Sequence, residues 1–512
     1  MVGASALESG YNQIYHYDVY VTSDKCFPSA PLHIFQKYMQ QKACSPHTDV
    51  ASLINIPDKD SWNSLRAGLH VMTAILPTLI GITLSQQLCQ HLPLRSTRRF
   101  LMEFLLIATP TICSNTVTSD YNEYFCALAA IFIAFLLWHS GIWGRASAAA
   151  TSHCYKVGQR PSAITLVRST AYVCTGCAIL AIDFKAFPVE WRKSRRYGAS
   201  LMDVGIGMFV MTMGVVSHRS RYFGDLKRQF RVVVQLLALG LLRTAIITMI
   251  DYHQDEYEYG QHLNAFFCLG FTKLLGSIAS LLARSNQQLL PLSMAILALH
   301  EFLLQLGLSD FVMSDTDRVG FLRANREGLS ALPGCVALYL VSIWGGEWYK
   351  FQDKLNYNQF IAKLRNMLLV VITAWTLVFV SVQLFGIARV TFNAGYVLWS
   401  FSVGATMLFL YSFLFEFCLM VPTAEPVEDK ADDSLAADPK LARPSRLPAF
   451  AEAINMNGLT YFMLSNLLTG LVNLTLEPSK RSSAECVTIL MLYMLASTGT
   501  VYVLFRKGIR IA

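Results

Sequence analysis

Residues 366–387, NMLLVVITAWTLVFVSVQLFGI, run through an apolar stretch without one charged side chain. Coiled as a helix rising about 1.5 Å per residue, such a stretch crosses the roughly 30 Å hydrocarbon core of a bilayer. Backbone amides find no water there, so only a helix or a closed barrel satisfies them, and barrel strands alternate apolar with polar positions. This stretch does not alternate, so it reads as a helix. Comparable runs lie near 67–90, 98–114, 124–143, 163–182, 200–217, 232–250, 261–283, 289–308, 329–345, 394–420, 457–475 and 485–505. Of the 512 residues, 54% are hydrophobic and only 15% charged, whereas a soluble domain needs roughly 25% charged residues to keep its surface hydrated. The sequence predicts an all-α, polytopic integral membrane protein with about 13 transmembrane helices.

Residues 1–64 are polar and irregular, punctuated by Pro28, Pro31, Pro46 and Pro57, and show no basic start followed by an apolar run, so no cleavable signal peptide is expected. Residues 65–512 form the multi-span domain, with a Pro- and charge-rich flexible loop expected at 421–453. Loop charge sets the orientation. With a luminal N-terminus, the cytoplasmic loops hold Arg95, Arg98 and Arg99, then Arg219, Arg221, Lys227, Arg228 and Arg231, then Lys350, Lys354, Lys363 and Arg365. The net charge of +8 thus reflects topology and anionic headgroups, not nucleic acid. The cysteines have no paired metal-ligand spacing, so no metal site is expected. Cys26 and Cys44 could pair in a luminal tail or stay isolated thiols, and the Cys174/Cys177 pair lies in an apolar helix, where packing is the expected role.

One expected luminal loop breaks the charge rule. After the fourth span the chain reads AIDFKAFPVEWRKSRRYGASLMDVGIG, with Lys185, Arg192, Lys193, Arg195 and Arg196 close together. Asp183 ends the apolar helix, where desolvation raises a carboxylate's pKa toward that of a general base and nearby cations lower it again. The alternative is an interfacial helix seated by Phe184, Phe187, Trp191 and Tyr197. Asp203 enters the next span, where an ionisable group needs a cavity or a partner. It could be catalytic or simply paired with a loop cation. Asp251, Asp255, Glu256 and Glu258 share the same expected face, either as hydroxyl-binding groups or as a solvated acidic loop; His262 and Asn264 begin the seventh span. Arg326 and Glu327 precede the ninth span; the arginine could fork onto phosphate or serve in a positioning salt bridge. Asn457, Asn466 and Asn473 lie along the twelfth span; Asn466 and Asn473 are seven apart and share a helix face, as a polar stripe or as packing contacts. Position 304 is Leu, so His300-Glu301 does not begin a zinc-protease pair, and P-loop, Rossmann and nucleophile-elbow patterns do not occur.

Several blocks occur in order: FLLIATPTICSNTV (104–117), AILAIDFKAFP (178–188), YGASLMDVGIGMFV (197–210), LGLLRTAII (239–247), DYHQDEYEYGQHLNAFF (251–267), NREGLSALPGCVALYL (325–340) and NMNGLTYFMLSNLLTGLVNLTL (455–476). Together they resemble the GPI inositol acyltransferases, the fungal GPI-anchored wall transfer proteins and their animal counterparts. The resemblance implies an endoplasmic-reticulum enzyme, luminal at its N-terminus and cytoplasmic at its C-terminus. It would move a long-chain, palmitoyl-like acyl group from acyl-CoA to the inositol 2-hydroxyl of glucosaminyl-phosphatidylinositol. Acyl-CoA is then a co-substrate, with no bound cofactor; membrane lipid is the surroundings, and protein partners are unknown. The resemblance also implies catalytic roles for Asp183 and Lys193, while Asp203, Asn264, Arg326, Asn457 and Asn466 become candidates for substrate contact. Val189-Glu190 stands where relatives tend to carry a basic pair, and Arg195 replaces a usual acid. The competing class is a secondary transporter or flippase for a lipid or amphiphile, which would share the spans and the buried polar groups, although matching halves are not evident.

Overall fold

The computed structural model describes residues 61–139, 154–156, 161–249, 256–351, 354–420 and 447–511. Residues 1–60 of the polar N-terminal tail, Asp251 and Asp255, and most of the expected 421–453 loop lie outside these residues.

Every expected span coincides with helix. The helices, in chain order, are α1 (Ser61–Cys89), α2 (Thr97–Asn115), α3 (Asn122–His139), α4 (Ser162–Ala181), α5 (Leu201–Val215), α6 (Phe223–Met249) and α7 (Ala265–Ser280). Then follow α8 (Leu289–Leu303), α9 (Arg326–Lys350), α10 (Tyr357–Phe385), α11 (Ala394–Leu410), α12 (Ala449–Met456), α13 (Gly458–Leu476) and α14 (Ser483–Arg506). The protein is all-α and polytopic. Among the described residues, nine helices are long and apolar enough to cross a membrane. The remaining expected spans are α2 and α3, which meet at a 99° bend, and two short apolar helices, α5 and α7. A three-residue strand, Cys154–Lys156, pairs antiparallel with Lys354–Asn356.

The short helices matter for function. With 15 and 16 residues, α5 and α7 span only about 22–24 Å, less than the hydrocarbon core. The chain segments that enter them therefore fold inward between longer neighbours. The side-chain oxygens of Ser200 and Asn264 cap α5 and α7, accepting from Asp203 N in the first case and from Phe266 N and Phe267 N in the second. Each cap starts its helix late and leaves a polar loop sunk in the bundle.

Helix α9 occupies the centre, packed against α5, α7, α8 and α11. Its approach to α5 is backbone to backbone. A Cβ on Gly346 would lie 2.3 Å from the Val215 carbonyl oxygen, and one on Gly214 would lie 2.7 Å from that of Tyr339. Small residues let membrane helices close in this way, where apolar burial alone gives little drive between helices already in lipid.

Residues 449–453, expected to close the flexible loop, belong instead to α12, whose Ala449, Phe450, Ala451, Ala453 and Ile454 are buried. The cause is distant in sequence. Glu103 Oε2 accepts from Phe450 N at 2.8 Å, while Arg99 Nε donates to Glu103 Oε1 at 2.6 Å. A buried carboxylate thus finds both a cation and the orphan amide of a helix start.

Candidate active site

The segment between α4 and α5 is not an interfacial helix. Phe184, Phe187 and Trp191, expected to seat it on the membrane surface, are each 1% exposed and packed into the core. The Trp191 ring stacks on His70 at 4.8 Å between centroids. These anchors pin an irregular loop that holds Asp183, Lys193 and Ser194 half-buried and leaves Lys185, Arg192, Arg195 and Arg196 exposed.

Asp183 lies in the turn after α4, half-buried, and its Oδ2 accepts from Asn473 Nδ2 on α13 at 2.9 Å. Burial pushes its carboxyl above the ordinary carboxylate value; the Asn473 hydrogen bond and the charges of Arg192 and Lys193 pull it partly back. The Lys193 ammonium pairs with Glu258, 65 positions away in the loop before α7. Burial alone would raise the Glu258 carboxyl, but Lys193, Arg389 and Arg243 outweigh it and hold Glu258 below its usual range.

Asp203, fully buried, organises the loop from beneath. Its Oδ2 accepts from Ser194 N at 3.1 Å, Ser194 Oγ at 2.7 Å and Ser200 Oγ at 2.9 Å. Arg389 Nε lies 2.9 Å from Oδ1, an ionic contact that is not aligned as a hydrogen bond. Tyr396 OH donates to the Asp203 carbonyl at 2.5 Å. The residue that follows Lys193 is therefore tied by both backbone and side chain.

The Glu258 loop is held just as firmly. Gly260 has φ 96, and a Cβ there would stand 2.5 Å from Asn325 Cα. Only glycine fits that position. Asn325 Oδ1 accepts from His262 N at 2.8 Å and Leu263 N at 3.1 Å, which docks the loop onto the start of α9.

The candidate residues fall into three groups. Asp183, Lys193 and Asn466 line one large cavity, with Glu258, Arg389 and Asn473. Asp203 braces the site without lining it. Asn264, Arg326 and Asn457 do not line the cavity and are bound to protein. Beyond its cap, Asn264 donates to Gly240 O at 3.0 Å and Thr244 Oγ1 at 3.1 Å. Arg326 donates to Thr316 Oγ1 at 2.8 Å and lies 3.4 Å from Glu327. Asn457 Nδ2 donates to Ile509 O at 3.1 Å, and its Oδ1 accepts from Ile511 N at 2.8 Å. Arg389 was not anticipated from the sequence; its signal is a lone cation in the short apolar connector GIARVTFN, which must find a partner elsewhere.

The cavity, about 3260 Å³, follows α4, α5 and α13 along their lengths. On α4 it touches Thr165, Arg168, Tyr172, Thr175, Ile179 and Ile182, a single helical face. Twenty residues of α4 make it about 30 Å deep. Asp183 and Lys193 stand at one end. At the other, Arg219, Arg221, Arg228, Arg231, Arg284 and Lys350 outnumber the acids Asp225 and Glu347. Between them, buried Lys273 donates to Ser217 Oγ at 2.7 Å and Tyr339 OH at 2.9 Å. The arrangement can hold an elongated amphiphile with its anionic groups at the basic end and its reacting group beside a carboxyl and an ammonium.

Residues 63–504 match the family model described as GWT1. The glucosaminyl-phosphatidylinositol-acyltransferase PIGW of Bos taurus is 29% identical over 463 residues, covering 83% of this chain and 90% of that protein. Its Homo sapiens counterpart is 28% identical over 466 residues, 83% of this chain and 91% of its own. The GPI-anchored wall transfer protein 1 of Schizosaccharomyces pombe is 30% identical over 361 residues, covering 69% and 74%.

Proposed function

The chain belongs to the GWT1 family, and we propose that it transfers a long-chain acyl group from acyl-CoA to the inositol 2-hydroxyl of glucosaminyl-phosphatidylinositol, in GPI-anchor biosynthesis. It is an acyltransferase, as its relatives are named, and the transporter reading gives way. The observation that carries the site is that Asp183 and Lys193 open on the same cavity, each held by a residue distant in sequence.

An inositol hydroxyl ionises far above neutral pH and needs a base beside it. Asp183 takes its proton as the oxygen attacks the thioester carbonyl carbon. Lys193 stabilises the oxyanion that develops there. The C–O bond forms, the C–S bond breaks, and the departing CoA thiolate recovers the proton from Asp183, which is ionised again for the next turn. Acyl-CoA lies along the cavity with its phosphates among the arginines of the far end. Asn466 is offered as a cavity contact, whereas Asn264, Arg326 and Asn457 act through the packing they maintain. The setting is the endoplasmic-reticulum membrane, with the Asp183 end luminal and the arginine end cytoplasmic, the orientation that places the basic loops inside.

The test is acyl transfer in microsomes with labelled palmitoyl-CoA and glucosaminyl-phosphatidylinositol. Wild type should label the acceptor, and Asp183→Asn and Lys193→Met should lose that labelling while remaining folded. Labelling that survives both changes would move the chemistry away from this loop, and no labelling by folded wild type would sink the enzyme.

A further inference from the structure

Arg389 stands where a buried carboxylate, Asp203, and a half-buried one, Glu258, meet the loop that carries Lys193. Its Nε lies 2.9 Å from Asp203 Oδ1, its guanidinium carbon lies 5.8 Å from the centre of the Tyr259 ring, and its charge acts on Glu258, the partner of Lys193. Asp203 holds the chain at Ser194, and Glu258 holds the ammonium at Lys193. Arg389 thus pairs with Asp203, which holds the backbone neighbour of Lys193, and stands over the ring of Tyr259, next in the chain to Glu258, which holds the Lys193 side chain.

The connector that presents Arg389 is itself built to stay still. Asn393 Oδ1 accepts from Ala388 N and Tyr396 N, both at 3.0 Å, and its Nδ2 donates to Gly386 O at 3.1 Å. From α8, His300 Nε2 donates to Thr391 O at 2.8 Å, and Glu301 Oε2 accepts from Ala394 N at 2.8 Å. Phe392 sits at φ 49, a left-handed conformation held only where surroundings over-determine it. Gly198 N donates to Ile387 O at 2.8 Å, joining the connector directly to the far end of the Lys193 loop.

We propose that Arg389 is a positioning residue for the acyl transfer, setting the Lys193 ammonium by bracing Asp203 and Glu258 together. The proposal rests on the catalytic role given to Lys193 above. Without Arg389, Asp203 loses its ion-pair partner and Glu258 one of the cations that act on it, and the Lys193 ammonium would be drawn further toward these carboxylates and away from the thioester.

The experiment compares Arg389→Lys, Arg389→Gln, Glu258→Gln and the Arg389→Gln/Glu258→Gln double variant in nanodiscs. Arg389→Gln should lower kcat by about tenfold or more while both substrate KM values stay within about threefold, the split expected of lost positioning and not lost binding. Arg389→Lys should restore part of kcat. The double variant should lose less than the product of the single losses, because one of the carboxylates that Arg389 braces has gone. A second readout needs no turnover: the rate at which an amine-reactive ester modifies Lys193, followed by peptide mass spectrometry. It should change in both Arg389→Gln and Glu258→Gln relative to wild type. Independent losses in the double variant, or unchanged Lys193 modification in folded Arg389→Gln, would overturn the proposal. If Arg389→Gln does not fold, Arg389→Lys and Glu258→Gln decide it: both must alter Lys193 modification. A wild type that transfers no acyl group would remove the functional reading, while the modification rates would still decide whether Arg389 sets Lys193.

Discussion

Asn473 Nδ2 donates to Asp183 Oδ2 across 2.9 Å, tying α13 to the turn after α4, 290 positions earlier in the chain. The bond favours the ionised carboxylate, against burial, which favours the protonated one. A base must be ionised to work, so the acid limb of the kcat/KM profile should lie above the ordinary aspartate value of about 3.9. Asn473→Leu should move that limb further up, because it removes a contribution that lowers the pKa. A pH profile of both proteins checks this; a limb that stays still or moves down would show that Asn473 does not act on Asp183.

The same raised pKa bears on stability. The folded protein binds the Asp183 proton more tightly than the unfolded chain does, so the stabilising contribution is full below the unfolded pKa and lost as pH rises through the folded one. At neutral pH the buried carboxylate is a cost. Asp183→Asn keeps the shape and removes the charge, so it should abolish transfer while leaving the detergent-solubilised protein as stable as wild type or more so. Thermal melts at pH 7 read this directly, and a clear fall in Tm would contradict it.

Asn264 should behave in the opposite way. Its side chain caps α7 and donates to α6, but does not line the cavity. Asn264→Ala should cost about 1–2 kcal/mol of stability, the usual worth of a cap, while kcat per folded molecule stays within about twofold. Chemical denaturation and activity on the same preparation separate the two effects. A selective loss of kcat would return Asn264 to the substrate-binding set.

How much of this was legible depends on how local each signal is. Spans such as 366–387 announce themselves, because the length of an uncharged run is the physical requirement for crossing a bilayer. The start of α12 did not, because its defining partner is Glu103, and the charged sequence before Ala449 resembles loop. Asp183 was visible as a carboxylate at the end of an apolar helix, and its pairing with Lys193 came from family resemblance. Glu258 could not be distinguished from its acidic neighbours, since what buries it is the turn at Gly260 against Asn325. Asn264 and Asn457 looked like ligands for the reason that makes them good caps and braces: an amide at a helix end can satisfy either a substrate or the backbone.

Gly260 offers a sharp comparison with another glycine. At φ 96 and with Asn325 Cα only 2.5 Å from where a Cβ would sit, Gly260→Ala should cost about 1–3 kcal/mol in backbone strain alone and displace Glu258 as well. Gly499 in α14 has nothing within 4 Å of that position, so Gly499→Ala should gain roughly 0.5–1 kcal/mol of helix stability. Melting temperatures of the two variants should move in opposite directions. Equal shifts would mean that the Glu258 loop tolerates a different path.

The far end of the cavity carries the donor hypothesis, and the arginines there can be tested without touching Asp183 or Lys193. Arg228 and Arg231 are exposed and lie on α6 among the cavity residues. If they meet the phosphates of acyl-CoA, the Arg228→Glu/Arg231→Glu variant should raise KM for acyl-CoA by roughly tenfold while changing kcat far less, the signature of lost uniform binding. Added salt should raise the wild-type KM and narrow the difference between the two proteins, because exposed charges are screened within about 8–10 Å. A truncated acyl thioester without phosphates supplies the control. Wild type and variant should use it with equal kcat/KM, since the arginines then have nothing to bind. An unchanged KM for acyl-CoA would detach the donor from this end of the cavity; an equal loss with both donors would show that the variant perturbs the bundle and not phosphate recognition.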